Sequence, residues 1–542
     1  MTNQNPESTK PLAALVEAMS QPGFYPDAPR DIEVKQTHIS YAILAGRFVY
    51  KLKKPVHFAF IDCSRLERRL HFCLEEVRLN SRLAPRVYHG VFAILRKGDS
   101  FVLGPEVRAS HPDAVEYTVK MRRLPDDRML DSMLRAHRVN SADINAIARR
   151  IGEFHTGAET KRGWEFGSAA AIWRAIVSDI AQNETFIGQT LERDQYEVMD
   201  KFCRAFVKSH WDLMNERARG GRVREGHGDL RAEHVCIEGD EIEVIDCVEF
   251  SEQLRYGDVA SDLAFLAMDI ERLGAGKFSR ELVDTYVEAS GDDDLSTLMP
   301  LYKCYRASVR GKVESLRSLE AEVQTKERER SRHAAREYYA LACRYARIAS
   351  PAVIVTCGLS GTGKSTVARL IRHLSGFETI NSDRVRKRLA GAGEYERAGA
   401  GYGSGIYSAE FTRRTYDEMI AEAGKILDAG RGVIVDATFK TVAERRRTIA
   451  IAERFGRPIL FVECVADEGE VRLRLDRRSL KQDEVSDATF EIYRKQRGEF
   501  EPLNEMASAI RIKLDTSRDE DTIVAEIESA LDRARSAAPL RE

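Results

Sequence analysis

No C-x-x-C pair occurs among the nine cysteines of this 542-residue chain, at Cys63, Cys73, Cys203, Cys236, Cys247, Cys304, Cys343, Cys357 and Cys464. Neither a zinc knuckle nor a disulfide framework is indicated, and the thiols read as small buried core residues. No stretch of about 18 consecutive apolar residues is present, so no membrane-spanning helix is expected. The opening 30 residues do not set an apolar run behind a charged segment; no secretory leader is expected, and the protein is expected in the cytoplasm. Nor is there a surplus of one charge. With 84 Lys and Arg against 86 Asp and Glu, the formal net charge is -2, and no global basic field draws the chain to nucleic acid. Short-period internal repeats are absent as well.

What is present is a globular composition, with 43% hydrophobic and 31% charged residues to supply cores and surface. The length favours about two to four domains. Residues 1–25 are polar with Pro and Gly and are expected to be flexible, although LAALVEAMS has the spacing of a short amphipathic helix. FVYKLKKP then alternates as a strand does, RLERRLHFCLEEVRLNSRL has helical spacing that ends before Pro85, and VYHGVFAIL and EYTVKMRRL read as strands. Helical patterns dominate from Ala142 to Ala218, so a strand-rich lobe and a helical lobe are expected to close on a cleft. The stretch VESLRSLEAEVQTKERERSRHAAREYYALACRYA continues as a helix for many turns, with one side solvated. At Pro351 the pattern changes: AVIVTC, GVIVDAT and PILFVECV alternate with helical segments, the signature of a parallel sheet built from βαβ units. The expected layout is an α+β bilobal domain over 26–348 followed by an α/β domain with a mainly parallel sheet over 349–542.

The strongest motif is GLSGTGKST at 358–366, where Gly358, Gly363, Lys364 and Ser365 match G-x-x-x-x-G-K-[ST] between a predicted strand and a predicted helix. The glycines, with Ser360, Gly361, Thr362 and Thr366, allow backbone N–H groups to surround phosphate oxygens, and the helix N-terminus adds a favourable dipole. Lys364 reaches the terminal phosphates of ATP, and Ser365 holds Mg²⁺. Asp383 in INSDRVRKRL follows a predicted strand, where its carboxylate can orient an acceptor hydroxyl and take its proton, or cap the next helix. Arg386 can bind an anionic group of the acceptor. Asp436 ends the strand GVIVD, a position suited to Mg²⁺ or its water. Arg474 and Arg478 lie four apart on one helical face beside Arg477, as a basic lid over phosphates or a solvated helix would place them.

In this order of motifs the segment resembles the P-loop small kinases that include gluconate kinase and the 5′-hydroxyl polynucleotide kinases. The resemblance implies Asp383 as the base that activates the acceptor and Arg386 as an acceptor-side contact.

Within 26–348 the signal is spread over spaced residues. Val49, Lys51 and Lys53 share a strand face, so Lys51 can approach phosphates, and Glu75 or Glu76 on the following helix can pair with it, Glu76 being preferred. HGDLRAEHV supplies Asp229 as base or hydroxyl-orienting residue, and Asp246 follows a hydrophobic strand as a metal-holding aspartate should. Asp258 and Asp262 are expected to fix a loop or cap a helix, and Arg306 and Arg310 to hold those acids or an anionic substrate. These residues resemble the aminoglycoside phosphotransferase-like branch of the protein-kinase fold. That family carries Asn five residues after the Asp, where this chain has His234, and imidazole binds metal although Mg²⁺ prefers hard oxygen ligands. An active phosphotransfer site, a nucleotide-binding regulatory lobe and a structural lobe all remain open.

The fused order resembles a bacterial family of aminoglycoside phosphotransferase-like domains joined to P-loop ATP-binding domains. The expected function is an ATP- and Mg²⁺-dependent kinase acting on a hydroxyl of a small-molecule acceptor, most securely at the P-loop. A 5′-hydroxyl nucleic-acid end kinase and a nucleotide-sensing protein are the alternatives.

Overall fold

Alternation decides the first sheet. In the strand Phe48–Lys53, Tyr50 and Leu52 are buried with Ile43, Ile94 and the helical residues Leu12, Leu15 and Met19, while Val49 packs on the opposite face. The strands are β1 (Ile32–Gln36), β2 (Ser40–Ala45), β3 (Phe48–Lys53), β4 (Tyr88–Lys97), β5 (Ser100–Val107) and β6 (Ala114–Arg122). They pair antiparallel in the order β1-β2-β3-β6-β4-β5. Helix α1 (Leu66–Asn80) lies on the Val49 face, with Leu70 and Cys73 against Val91, Ala93, Tyr117 and Val119. That places Glu76, fully buried, opposite the lysines of β3. The N-terminal segment departs from the expected flexible tail, because the helix Pro6–Met19 and the aromatic pair Phe24 and Tyr25 contribute side chains to this core.

The computed structural model describes residues 6–37, 39–58, 61–160, 163–320, 323–393, 403–479 and 488–537. They fall into two units, one running to Ala171 and resuming over Met214–Asp292, the other comprising Ile172–Leu213 and the chain from Asp293. The first unit adds α2 (Ser141–Gly157), started by a capping box on Asn140, the hairpin β7 (Val235–Glu238) and β8 (Glu241–Val244), α3 (Val259–Arg272) and α4 (Gly276–Ser290). His234 just precedes β7 and Asp246 just follows β8, so the antiparallel hairpin brings them side by side.

The second unit opens its long C-terminal run with α5 (Leu295–Leu319) and α6 (Thr325–Ala349), which replace the single long helix expected across this stretch. Neither belongs with the first unit, where the sequence boundary at 348 had placed them: Ile348 lies in a core with Ile354 and Leu460, and Arg344 pairs with Glu528. The parallel sheet contains β9 (Val353–Cys357), β10 (Glu378–Asn381), β11 (Val433–Asp436), β12 (Ile459–Val465) and β13 (Arg511–Asp515), in the order β10-β11-β9-β12-β13. Side chains of β9 alternate between two cores. Val353 and Val355 pack with Val433, Val435 and Phe461, and Ile354 packs with Ile434, Leu460 and Val462 on the other face. Helices α7 (Lys364–Ser375), α8 (Ser382–Ala390), α9 (Ala409–Asp428), α10 (Val442–Arg454), α11 (Glu468–Ser479), α12 (Phe490–Glu499) and α13 (Glu520–Ala537) complete the unit. No helix among the described residues is long and apolar enough to cross a membrane.

Candidate active sites

The loop 358–363 joins β9 to α7 at the carboxyl edge of the parallel sheet. Its glycines are needed by backbone and by space: Gly358 has φ +126°, and a Cβ there would stand 2.5 Å from the Cys464 carbonyl oxygen. Gly363, at φ +88°, caps α7, and a Cβ would meet Thr516 Oγ1 at 2.9 Å. The first-turn N–H groups of α7 have no partner within the helix, so they are available to an anion. Lys364 folds back over the loop and donates to the Leu359 carbonyl at 2.8 Å; burial pushes its pKa below the ordinary lysine value, and the charge of Arg478 acts in the same direction. Thr362 Oγ1 also donates to Leu359, at 2.8 Å, and the Ser360 amide donates to Gln496 at 2.9 Å.

Asp436 gathers three donors at the end of β11. Thr356 Oγ1 reaches one carboxylate oxygen at 2.8 Å, while Ser365 Oγ and Asn381 Nδ2 reach the other at 3.1 and 2.8 Å. Ser365 and Asp436, expected to manage the metal, are thus brought together as a hydroxyl and a carboxylate, both hard oxygen donors of the kind Mg²⁺ takes beside nucleotide phosphates. Asn381 was not singled out in the sequence. It ends β10 and also caps α8, its Oδ1 accepting from the Asp383 and Arg384 amides at 3.0 and 3.2 Å. Asp383 is therefore not the helix cap; its carboxylate sits in the first turn, 3.3 Å from Arg386 Nη1. The Arg386 guanidinium stacks on Tyr407 at 4.8 Å and is buried.

The arginine helix divides its work. Arg474 is committed to bracing, with Nη1 donating to Thr516 Oγ1 at 2.8 Å, Nη2 to the Thr516 carbonyl at 2.9 Å, and Nε to Glu470 at 2.7 Å. Thr516 Oγ1 donates in turn to the Thr362 carbonyl at 2.8 Å, so Arg474 supports the phosphate loop from behind. The remainder of the expected lid, residues 480–487, lies outside the described residues.

In the first unit Lys51 Nζ lies 2.8 Å from Glu76 Oε1 and 2.6 Å from Asp246 Oδ1, which joins β3, α1 and the loop after β8. Glu76 is the pairing acid; Glu75 bonds Arg78 at the surface. Burial alone would raise Glu76 and lower Lys51, but Lys51 and Lys53 hold the Glu76 carboxyl below its usual value, and Asp246 and Glu76 hold Lys51 well above its own. The Asp246 carboxyl is strongly depressed by Lys51. Asp246 itself has φ +66°, a strained backbone for a residue other than glycine.

The loop that carries Asp229 is fixed from below. Asp262 accepts from the His227 and Gly228 amides at 2.5 and 3.0 Å, and Asp258 caps α3 while paired with Arg217 at 2.7 Å. Both acids serve structure, as expected, with Arg217 rather than Arg306 or Arg310 as the observed partner of Asp258; Arg310 pairs with Glu314. Asp229 receives Arg231 at 2.9 Å. His234 Nδ1 donates to the Asp229 carbonyl at 2.8 Å, which fixes its tautomer and leaves Nε2 3.7 Å from Asp246 Oδ2. Among the described residues no cluster of three or more His, Cys, Asp or Glu side chains forms a metal cage, and a pair completed by phosphate oxygens is what an ATP site requires.

A family model described as an AAA domain matches residues 353–503, the span from β9 through α12. Uncharacterized protein Rv2004c of Mycobacterium tuberculosis is 31% identical over 467 residues, covering 85% of this chain and 88% of that protein. The chain belongs to the family of that mycobacterial protein. The AAA-domain match begins at β9 and takes in the phosphate loop that the motifs implied. Among solved structures, a sugar kinase from Janibacter sp. is similar at 19% identity, covering 35% of this chain and 99% of that one with a TM-score of 0.27. A choline/ethanolamine kinase family protein from Mesorhizobium loti is similar at 13% identity, covering 62% and 99% with a TM-score of 0.35.

Proposed function

We propose that the protein is a cytoplasmic Mg²⁺- and ATP-dependent kinase that phosphorylates a hydroxyl of a small molecule at the P-loop site. The observation that carries this reading is the convergence of Ser365 and Asp436 beside Lys364 at the carboxyl edge of the parallel sheet. Mg²⁺ bound there would supply positive charge that offsets the negative charge of the phosphates. Ser365 and Asp436 would hold it, Asn381 and Thr356 orienting the Asp436 carboxylate. Lys364 and the α7 amides would stabilise charge on the transferring phosphoryl group. Asp383 would orient the acceptor hydroxyl and accept its proton, with Arg386 beside it on the acceptor side. A small acceptor is favoured over a nucleic-acid end by the balanced charge of the chain.

The first unit is proposed as a second nucleotide site, because Lys51 pairs with the helix acid Glu76, as kinase-type phosphotransfer requires, with Asp246 beside it in position to hold a metal. Asp229 would orient a hydroxyl there, and Asp246 with His234 would hold the metal.

The test is single-turnover transfer from labelled ATP over a metabolite panel with the intact protein, Lys364→Ala and Asp383→Asn. The P-loop assignment expects Lys364→Ala to abolish transfer and Asp383→Asn to lose about 10²–10⁴-fold in rate with ATP binding kept. Undiminished transfer by Lys364→Ala would move the reaction to the first unit.

A further inference from the structure

Five side chains of the first unit form a circuit of alternating charge, and half of it has no part in the roles assigned above. Asp246 Oδ1 contacts Lys51 at 2.6 Å, Lys51 contacts Glu76 Oε1 at 2.8 Å, and Glu76 Oε2 accepts from Lys53 at 2.7 Å. Lys53 also pairs with Glu249, three residues beyond Asp246 in the same loop, which closes the circuit. The second half is the drier one: Lys53, Glu76 and Glu249 are 2%, 0% and 7% exposed.

A buried ion pair is weak support for stability, since its desolvation offsets its attraction and an apolar pair of similar volume often serves packing as well. What the pair supplies here is registry. Lys51 alone links Glu76 to Asp246, and phosphates drawing its ammonium would loosen that link. Lys53 and Glu249 are buried and paired with each other, so their link between α1 and the loop after β8 would persist. The loop has two further ties, only the first of them to α1: the Cys247 amide donates to the Asn80 side chain at 2.8 Å, and the Val248 amide to the His227 carbonyl at 3.0 Å.

We propose that Lys53 and Glu249 are a positioning pair that holds Glu76 and Asp246 in register while Lys51 engages nucleotide phosphates. Neither touches nucleotide. This inference rests on reading the first unit as a nucleotide site, and its test separates the two.

The test uses the intact chain carrying Lys364→Ala, so that only the first unit reports, and titrates ATP by calorimetry with Mg²⁺ and with chelator. Lys53→Met alone would strand two buried carboxylates, so the informative variant is Lys53→Met with Glu249→Leu, which removes one charge of each sign. With folding confirmed by circular dichroism, the double variant is expected to lose at least about tenfold in Mg²⁺-dependent ATP affinity, the scale for groups that orient metal ligands, while metal-free affinity stays within about twofold. Lys53→Arg is expected to restore most of the affinity, because a guanidinium can still pair with both carboxylates. Unchanged Mg²⁺-dependent affinity in the folded double variant would overturn the positioning role, as would equal losses with and without metal, which would mark a purely structural pair. If the Lys364→Ala parent binds no ATP, the nucleotide-site reading itself falls and takes the positioning role with it.

Discussion

Ser365 Oγ donates to Asp436 Oδ2 across 3.1 Å, tying the first turn of α7 to the end of β11. The two residues are 71 positions apart in sequence, and parallel pairing of β9 with β11 brings them together. If they share a metal, Ser365→Ala and Asp436→Asn should each weaken ATP binding in Mg²⁺ by about 10–100-fold, while binding in chelator changes little. Calorimetry on the two variants with and without Mg²⁺ checks this; equal losses in both conditions would place the pair in loop structure alone.

His234 gives the first unit a different expected metal preference. Its Nδ1–H is spent on the Asp229 carbonyl, so the lone pair of Nε2 is the one that faces Asp246 and Arg231. An imidazole nitrogen suits Mn²⁺ better than Mg²⁺, which prefers oxygen. In a Lys364→Ala background, ATP should bind more tightly with Mn²⁺ than with Mg²⁺, and His234→Asn should narrow or reverse that order. Identical metal preference in parent and variant would remove His234 from the metal shell.

Among the described residues, Arg445 is the largest side chain sealed from solvent. Its Nε pairs with Glu505 at 2.6 Å, Nη1 donates to the Phe439 and Glu501 carbonyls at 3.0 Å each, and Nη2 donates to the Pro502 carbonyl at 3.2 Å. It therefore pins the segment after α12 to the loop that follows β11, the strand ending at Asp436. Arg445→Met should destabilise the P-loop unit by about 3–5 kcal/mol, since four acceptors lose one buried donor group. Urea unfolding of the variant measures the loss, and a change under 1 kcal/mol, on the order of one exposed ion pair, would show the network to be dispensable.

The phosphate loop was legible because its physics is local: positive-φ glycines between a strand and a helix leave a pattern in consecutive residues. Lys51 and Glu76 were legible because strand and helix periodicity put each on a known face. The residues that escaped, Asn381, Glu249, Arg445 and Thr516, owe their roles to partners distant in the chain, and nothing local marks them; Lys53 was placed on the Lys51 face, but its pairing with Glu249 was not legible. Asn381 shows the cost of local reading, since it takes the capping role offered to Asp383 and leaves that carboxylate free of the cap. Arg474 shows the same for charge: an arginine on a basic face was assigned to phosphate, whereas Thr516 claims it. Helix α5 ends at Leu319 and α6 begins at Thr325 although the sequence between them holds neither Gly nor Pro, so no breaker residue marked the boundary.

His227 makes the first unit sensitive to acid. The ring is fully buried, its Nε2 bonds the Ile245 carbonyl at 2.9 Å, and its Nδ1 accepts from the Asp229 amide at 3.3 Å, an arrangement that only the neutral imidazole satisfies. Burial pushes its pKa down from 6.5 to about 4. Between those values the unfolded chain binds the proton and the folded chain does not. Stability from this group is therefore fully present above pH 6.5 and declines as pH falls toward 4, by about 3 kcal/mol across the window at 1.36 kcal/mol per unit. Protonation would also repel the amide that positions Asp229. Urea unfolding of the intact protein and His227→Gln at pH 7.5, 5.5 and 4.5 checks this: the parent should lose more stability on acidification than the variant, because glutamine keeps a donor and an acceptor but cannot titrate. Parallel slopes in the two proteins would mean that acid sensitivity arises from carboxylates elsewhere.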